Sequence, residues 1–121
     1  MKIIHGDFHF KNILFKNNQL QSFLDFENFR YGCPTEDLIR LILTNAEQHN
    51  FFRVKYTLKL LRLMMQETPY SKQDWIYGLD VYVLKKYEKK LRKRNPRQLF
   101  MLFRCSFLYR RLRKAIDSYF G

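Results

Sequence analysis

Two short apolar runs near the start of the chain predict a β-hairpin. Ile13-Leu14-Phe15 is an apolar run suited to a buried strand, and a second, mostly apolar run extends from Phe23 to Phe26. The residues Lys16 to Gln19 between them are rich in Asn, which is typical of a turn. Such a hairpin brings Asp25 of the second run back beside Asn12, which directly precedes the first run.

Apolar positions at helical spacing predict helices after this hairpin. Arg30 to Pro34 is predicted to be a turn-rich loop, and Thr35 is a suitable N-cap for the first helix. Arg40 is turned away from the apolar core face of that helix, which consists of Leu38, Ile39, Leu41 and Ile42. A second helix is predicted from Phe51 to Glu67, and its apolar positions are Phe51, Val54, Leu58, Leu61 and Met65.

Two further helices complete the predicted fold. Ser71 to Asp74 has the S-x-x-D form of a capping signal and opens the third helix, which runs to Arg94 before the break at Asn95-Pro96. Its apolar positions are Trp75, Ile76, Leu79, Tyr82 and Val83. A fourth helix is predicted from about Gln98 to Phe120, with a stripe formed by Leu99, Leu102, Phe103, Ser106, Tyr109, Arg110 and Arg113. The pattern therefore predicts a single α+β domain over residues 1–121, a β-hairpin followed by mainly α-helices.

The chain carries a formal net charge of +12, which is distributed unevenly. Residues 1–50 contain 5 Lys and Arg against 6 Asp and Glu, whereas residues 51–121 contain 18 against 5. This asymmetry points to an anionic partner of the helical part. Two distant cysteines do not make a disulfide framework, so we expect a reducing, cytoplasmic setting. We expect neither a signal peptide nor a membrane-spanning segment.

Short polar side chains are concentrated near the predicted hairpin. Asn12 lies five positions after Asp7, and the hairpin brings Asp25 to the same place, so two carboxylates and one carboxamide converge. Oxygen ligands of this kind suit Mg²⁺, which shares its other positions with waters and substrate phosphates. A zinc site is not indicated, because there is no C-x-x-C pair or H-E-x-x-H helix among the histidines and cysteines, which are His5, His9, His49, Cys33 and Cys105.

These residues carry a family resemblance. The pattern H-G-D-F-H-F-K-N from His5 to Asn12, followed by L-D-F-E from Leu24 to Glu27, resembles the catalytic segment of the aminoglycoside phosphotransferase and choline kinase-like families, relatives of the protein kinases. The protein-kinase H-R-D-x-x-x-x-N loop has the same spacing from Asp to Asn. The resemblance implies the C-terminal lobe of a protein kinase-like fold, with ATP and Mg²⁺ as cofactors. It is specific over residues 3–40 and rests on helix order beyond them.

The resemblance also implies roles for single residues. Asp7 is similar to the catalytic base that accepts the proton of the substrate hydroxyl, and Asn12 and Asp25 match the two metal-holding positions. Asp37 resembles a structural Asp that ties its helix to the catalytic loop. The others are expected to support the site: His5 and His9 as scaffold residues, and Glu27 as a further metal ligand or a carboxylate beside the ligands.

A complete enzyme of this kind has a strand-rich lobe that covers the phosphates and supplies a strand Lys. Only four residues precede His5, and the glycines form no G-x-G-x-x-G motif. We therefore expect the N-terminal nucleotide lobe to be absent, with residues 1–37 as the catalytic and metal-binding segment and 38–121 as the helical part. The chain is then a truncated product, a domain of a longer protein, or half of a split enzyme.

The stretch from Lys85 to Arg97 contains eight cations and one acid. Three interpretations stay open: a solvated helix end, a peripheral contact with an anionic membrane face or glycolipid, and, with less weight, a nucleic-acid surface. The candidate residues for anionic-surface binding are Lys85, Lys86, Lys89, Lys90, Arg92, Lys93 and Arg94.

Two functional hypotheses follow. The first is an ATP-dependent small-molecule kinase that transfers the γ-phosphoryl group to a hydroxyl. Its candidate substrates are aminoglycosides, choline-like alcohols and bacterial cell-surface sugars. The cationic helices favour an anionic acceptor such as a lipopolysaccharide-core sugar, and hence lipopolysaccharide biosynthesis. The second is a non-catalytic basic module that binds nucleic acid or an anionic membrane.

Overall fold

A computed structural model of the chain describes residues 1–48, 54–93 and 96–121. The strands in this part are β1 (Lys2–Ile4), β2 (Ile13–Lys16), β3 (Gln19–Phe23) and β4 (Arg30–Gly32). The helices are α1 (Pro34–Gln48), α2 (Val54–Glu67), α3 (Lys72–Lys93) and α4 (Pro96–Phe120). The predicted class, α+β with a hairpin and mainly helices, is confirmed.

The predicted hairpin is formed by β2 and β3. Asn17 and Asn18 both have positive φ, at 53° and 60°, and connect Lys16 to its strand partner Gln19. This is the conformation that a tight two-residue hairpin turn requires, and Asn adopts it more readily than most residues.

The second strand is displaced from its predicted position, because it ends at Phe23 instead of Phe26. Asp25 has φ 61° and ψ 68°, and this left-handed backbone turns the chain into a short 3-10 turn, Phe26–Asn28. The prediction of a buried hairpin strand is also wrong: Phe15 is 54% and Phe23 40% exposed. No described element covers these strands.

A second strand pair was not predicted. Arg30–Gly32, which the sequence suggested was part of a loop, forms β4 and pairs antiparallel with β1, with Ile3 opposite Tyr31. The pairing places the start of the chain beside the segment that leads into α1. The loop His5 to Asn12 therefore emerges next to the N-terminus of that helix.

The helix starts follow local capping chemistry. α1 begins at Pro34, so Thr35 lies inside its first turn and is not the N-cap that the sequence suggested. Thr35 Oγ1 donates instead to the carbonyl oxygen of Asp74, at 2.6 Å. The predicted capping signal of α3 is confirmed, since Ser71 N donates to Asp74 Oδ2 at 3.0 Å and Asp74 N to Ser71 Oγ at 3.2 Å.

All four helices contribute to one apolar core. Its fully buried members include Ile39, Ile42, Leu61, Trp75, Leu79, Leu112 and Ile116. On α4 the buried stripe is Leu108, Leu112 and Ile116, one position away from the predicted stripe, whose Arg110 is exposed. The predicted members Leu99, Leu102 and Phe103 have side chains outside the described part.

Some predictions fall on residues that are not described. These are the first turn of the second helix, residues 51–53, and the break at 94–95 between the last two helices. Within the described residues, none of the helices combines the length and apolar character needed to cross a membrane.

Candidate active site

The loop from His5 to Asn12 is fastened to the start of α1 by Asp37. Asp37 Oδ2 accepts a hydrogen bond from His5 N at 2.7 Å, and Asp37 Oδ1 accepts one from Gly6 N at 3.0 Å. Gly6 has φ 82°, and a Cβ atom there would overlap the carbonyl oxygen of Asn28. The loop therefore needs both a carboxylate at 37 and a glycine at 6.

His5 connects this loop to the segment before Asp25. Its Nδ1 accepts a hydrogen bond from Asp7 N at 3.2 Å, so the ring nitrogen that faces Leu24 O at 2.7 Å is the donor, Nε2. The ring is buried against Phe26 and Phe29, with centroids 5.3 and 6.0 Å away. These contacts suit a scaffold residue, and the role of His5 stays a prediction.

Asn12 joins the two halves of the site. Its Nδ2 donates to the carbonyl oxygen of Asp7 at 2.9 Å and lies 3.3 Å from His9 Nε2. The backbone carbonyl oxygen of Asn12 accepts a hydrogen bond from Leu24 N at 2.8 Å, and Leu24 directly precedes Asp25. One side-chain and one backbone hydrogen bond of Asn12 thus join the segments that carry Asp7, Asn12 and Asp25. Within the described residues, nothing donates a hydrogen bond to Asn12 Oδ1.

Asp25 directly precedes the 3-10 turn and Glu27 lies within it, and both residues are exposed. In the described part of the chain, neither carboxylate takes part in a hydrogen bond or ion pair. The left-handed backbone of Asp25 is rare for a residue other than glycine, and such conformations cluster at functional sites. Within the described residues, Glu27 forms no hydrogen bond or ion pair with the other predicted site residues, so its role rests on sequence position alone.

The Asp7 carboxylate lies between two basic side chains, those of His9 and Arg40. Its Oδ2 is 3.7 Å from His9 Nε2, and its Oδ1 is 3.7 Å from Arg40 Nη1. Both distances are longer than a hydrogen bond, and the side chain remains 31% exposed. His9 Nδ1 is buried and has no hydrogen-bond partner among the described residues. Asp7 therefore keeps an accessible carboxylate that can accept a proton.

The oxygen chemistry of this site fits magnesium. The Asn12 carboxamide has its nitrogen occupied and its oxygen available, and the Asp25 carboxylate is exposed and unbonded. Two such ligands leave several positions for waters and phosphate oxygens, which is how proteins usually hold Mg²⁺. The described residues contain no group of three or more His, Cys, Asp or Glu suited to a metal. A closed, all-protein metal cage is therefore not part of the described chain.

Comparison with known protein families covers the part of the chain that contains this site. The family model of the phosphotransferase enzyme family matches residues 2–64, slightly more than half of the chain. The chain belongs to this family. The match contains every predicted site residue from His5 to Asp37, and it ends within α2. Searches of curated proteins and of solved structures found no significant match.

The site of this phosphotransferase includes a cationic group that the sequence did not reveal. Arg40 faces Asp7, and its guanidinium carbon lies 5.3 Å from the centroid of the Tyr82 ring. Arg30 forms an ion pair with Glu36, and Lys85 Nζ is 4.0 Å from the same Glu36 oxygen.

Partial burial of Lys85 lowers the pKa of its ammonium, and the charges of Arg30 and Arg40 lower it further, while Glu36 acts in the opposite direction. Arg40 follows Asp37 by three residues on the same helix, and this i, i+3 spacing is the signal that could have placed it beside the catalytic loop. The approach of Lys85 from α3 has no such local signal.

The basic stretch is only partly described. Lys85, Lys89 and Arg92 are exposed, and Arg92 Nη2 contacts Glu88 Oε1 at 2.7 Å. Lys86 Nζ instead donates to Tyr82 Oη at 3.3 Å. The side chains of Lys90 and Lys93, and all of Arg94, lie outside the described residues.

Proposed function

We propose that this phosphotransferase is the catalytic lobe of an ATP-dependent small-molecule kinase that transfers the γ-phosphoryl group to a hydroxyl. The observation that carries the proposal is the position of Asn12. Its amide nitrogen holds the backbone of Asp7, its backbone oxygen holds the segment before Asp25, and its side-chain oxygen is left for a cation. One residue thereby sets the spacing between the proposed base and the proposed metal ligands.

In this proposal Asp7 accepts the proton of the acceptor hydroxyl. Its carboxylate is exposed to substrate, and its contacts with His9 and Arg40, both 3.7 Å long, leave its oxygens free to accept a proton. Asn12 and Asp25 hold Mg²⁺ through oxygen atoms, and Glu27 is close enough in sequence to assist. When bound, Mg–ATP supplies the phosphoryl group and the metal neutralises its charge. Asp37 and His5 keep the loop in place, because they accept hydrogen bonds from three of its backbone nitrogens, those of His5, Gly6 and Asp7.

A covering nucleotide lobe, from a longer chain or from a partner, is part of the proposal. The hairpin and its surroundings expose large apolar side chains, namely Ile3, Leu14, Phe15, Leu20, Phe23, Phe26 and Phe29. Contiguous exposed apolar surface of this kind marks an interaction surface. For the 121-residue chain alone we expect ATP to bind at about millimolar concentration and without turnover.

The acceptor is proposed at the level of class. Aminoglycosides, choline-like alcohols and cell-surface sugars are candidates. An anionic acceptor, such as a lipopolysaccharide-core sugar, is favoured by the excess of cations in the helical part. A polycationic aminoglycoside would be repelled by the same charges.

Phosphoryl transfer tests the proposal when the chain is joined to a nucleotide-binding lobe. We expect Asp7→Ala and Asp25→Ala each to reduce turnover by orders of magnitude, because this chemistry depends on positioning and charge neutralisation. Both variants should remain folded by circular dichroism, with a modest fall in the melting temperature of Asp25→Ala because alanine suits a left-handed backbone less well than aspartate. Lys59→Ala, which changes an exposed lysine of α2, is the control. Full activity of Asp25→Ala would contradict the proposal.

A second proposed function is binding to an anionic membrane or nucleic acid, with a peripheral place at the cytoplasmic membrane face. It is supported by the exposure of Lys85, Lys89 and Arg92 along α3. Binding of this kind falls steeply with salt and depends on the number of cations in contact. It should survive Asp25→Ala and be lost in Lys89→Glu/Arg92→Glu. Unchanged binding in that double variant would refute it.

A further inference from the structure

Arg40 and Lys85 lie at the edge of the proposed active site, and the proposed phosphoryl transfer has so far given neither of them a role. They line a small cleft together with Gly6, Arg30, Glu36 and Tyr82. The cleft is therefore contiguous with the loop that carries Asp7, since Gly6 is the residue directly before it. The cleft has only about 10 Å³ of free volume, so a bound group would lie at its mouth, beside the loop that carries the proposed base.

The acids in this cleft do not accept hydrogen bonds from all of its cationic side chains. Both carboxylate oxygens of Asp37 are already bonded to the loop backbone. Glu36 is shared, because the oxygen that pairs with Arg30 is also the one nearest to Lys85. Arg40 has only the longer contact with Asp7, and its guanidinium donates no hydrogen bond to another described residue. Arg40 and Lys85 therefore keep hydrogen-bond donors that no acid of the cleft takes up at hydrogen-bond distance.

Arg40 is also held in position. The face of the buried Tyr82 ring supports its guanidinium at 5.3 Å, a distance at which a cation and a ring attract each other. The side chain is 27% exposed, so it is accessible but restrained. A guanidinium that is fixed by an aromatic ring and has free donors is well suited to bind a carboxylate or phosphate through two parallel hydrogen bonds.

We propose that Arg40 and Lys85 form the binding site for an acidic group, a carboxylate or a phosphate, on the hydroxyl-bearing acceptor. Held there, the acidic group orients the acceptor so that a hydroxyl reaches Asp7. The inference rests on the proposed function, because it assigns the cleft to the acceptor of that reaction. The pKa of Lys85 is lowered first by burial and then by the charges of Arg30 and Arg40, and an incoming anion would favour the charged ammonium.

Binding of simple sugars to the whole 121-residue chain tests the inference without ATP or metal. The probes are glucose 6-phosphate and glucuronate, with glucose as the neutral control, titrated by NMR at constant ionic strength. We expect both acidic sugars to bind and glucose not to bind detectably. Which acidic sugar binds more tightly shows whether the cleft prefers phosphate or carboxylate.

Variants then locate the binding site. Arg40→Gln and Lys85→Gln should each weaken binding about tenfold or more, as expected for the loss of a hydrogen bond to a charged group. Arg40→Lys keeps the charge and should retain part of the affinity. Lys89→Gln is the matched control, because Lys89 lies one helical turn after Lys85 on α3, and this variant should bind like the wild type. Asp7→Asn removes the negative charge that faces Arg40 and should strengthen binding.

The inference fails if Arg40→Gln and Lys89→Gln weaken binding equally, if glucose binds as well as the acidic sugars, or if none of the probes binds. Weaker binding in Asp7→Asn would also contradict it. If phosphatidylglycerol vesicles bind and displace the sugars through Lys89 and Arg92 instead, the anion site is the basic surface of α3. A failure of phosphoryl transfer leaves these outcomes unaffected, because Asp25→Ala is expected to bind the acidic sugars normally.

Discussion

The side-chain amide of Asn12 donates a hydrogen bond to the backbone carbonyl oxygen of Asp7, at 2.9 Å. The contact spans the whole loop between the two residues and is buried, with Asn12 only 8% exposed. It makes the orientation of the Asn12 oxygen and the position of the Asp7 backbone interdependent. A substitution at Asn12 should therefore affect stability as well as chemistry.

Asn12→Asp isolates the role of the amide nitrogen. The carboxylate has a similar shape but no N–H, so the Asp7 carbonyl loses its donor and faces a negative charge. We expect a loss of about 1–3 kcal/mol in the free energy of unfolding, the usual cost of a buried acceptor without a partner. Urea denaturation measures it, with Gln21→Ala on the exposed strand β3 as a control that should change little. Equal stability of the two variants would show that the Asn12 contact is not important.

Asp37 should be among the most sensitive polar positions. Its carboxylate accepts hydrogen bonds from two backbone nitrogens, and bonds to a charged acceptor are stronger than neutral ones. We expect Asp37→Ala to lower the free energy of unfolding by about 3 kcal/mol. Asp37→Asn, which keeps one acceptor oxygen, should lose less. Chemical denaturation gives the free energy of unfolding of each variant. If Asp37→Asn is no more stable than Asp37→Ala, this explanation is contradicted.

Gly6 tests the close approach of the loop to Asn28. Gly6→Ala adds a Cβ that overlaps the Asn28 carbonyl oxygen and also forces alanine into positive φ. Gly121→Ala is the matched control, because Gly121 has φ 73° but no atom within 4 Å of the added Cβ. We expect Gly6→Ala to unfold well below the wild type, and Gly121→Ala to lose no more than about 1 kcal/mol, the order of the left-handed penalty. Similar melting temperatures of the two variants would show that the overlap is relieved.

The contribution of Tyr109 to the free energy of unfolding should depend on pH in the alkaline range. Its hydroxyl donates to Asp80 Oδ1 at 2.7 Å, and this bond, followed by burial, raises the pKa of Tyr109. Because the folded-state pKa is above the unfolded one, the contribution is fully present below about pH 10 and is lost as the pH rises further. The stability difference between wild type and Tyr109→Phe should shrink above that pH. Tyr77→Phe, at an exposed tyrosine of α3, should show no such trend. A difference that grows with pH would have the wrong sign.

The sequence predicted those features that depend on local spacing. The Asn17-Asn18 turn is recognisable because both residues accept positive φ. The hairpin was predicted to bring Asp25 beside Asn12, and the residue that bonds to Asn12 is its neighbour Leu24. The end of the second strand was missed because nothing in Leu24-Asp25-Phe26 shows that Asp25 has a left-handed backbone.

Longer-range features could not be predicted in this way. Arg30–Gly32 becomes a strand only because β1 offers it a partner, and a run containing glycine gives little strand signal by itself. The cationic cleft depends on how α1 packs against α3, which brings Lys85 of one helix to Glu36 of the other. Such contacts arise from tertiary packing and leave no periodic pattern in the sequence.

The most direct test of the proposed site is the response of the melting temperature to magnesium. Calorimetry on the 121-residue chain, with and without Mg²⁺, compares wild type, Asp25→Asn and Asp117→Asn. Asp117 is an acid on α4 that pairs with Lys72, so its variant removes the same charge away from the site. If Asn12 and Asp25 hold the cation, Mg²⁺ raises the melting temperature of wild type and Asp117→Asn by mass action, and the rise is largely absent in Asp25→Asn. An undiminished rise in Asp25→Asn would contradict the assignment of the metal site.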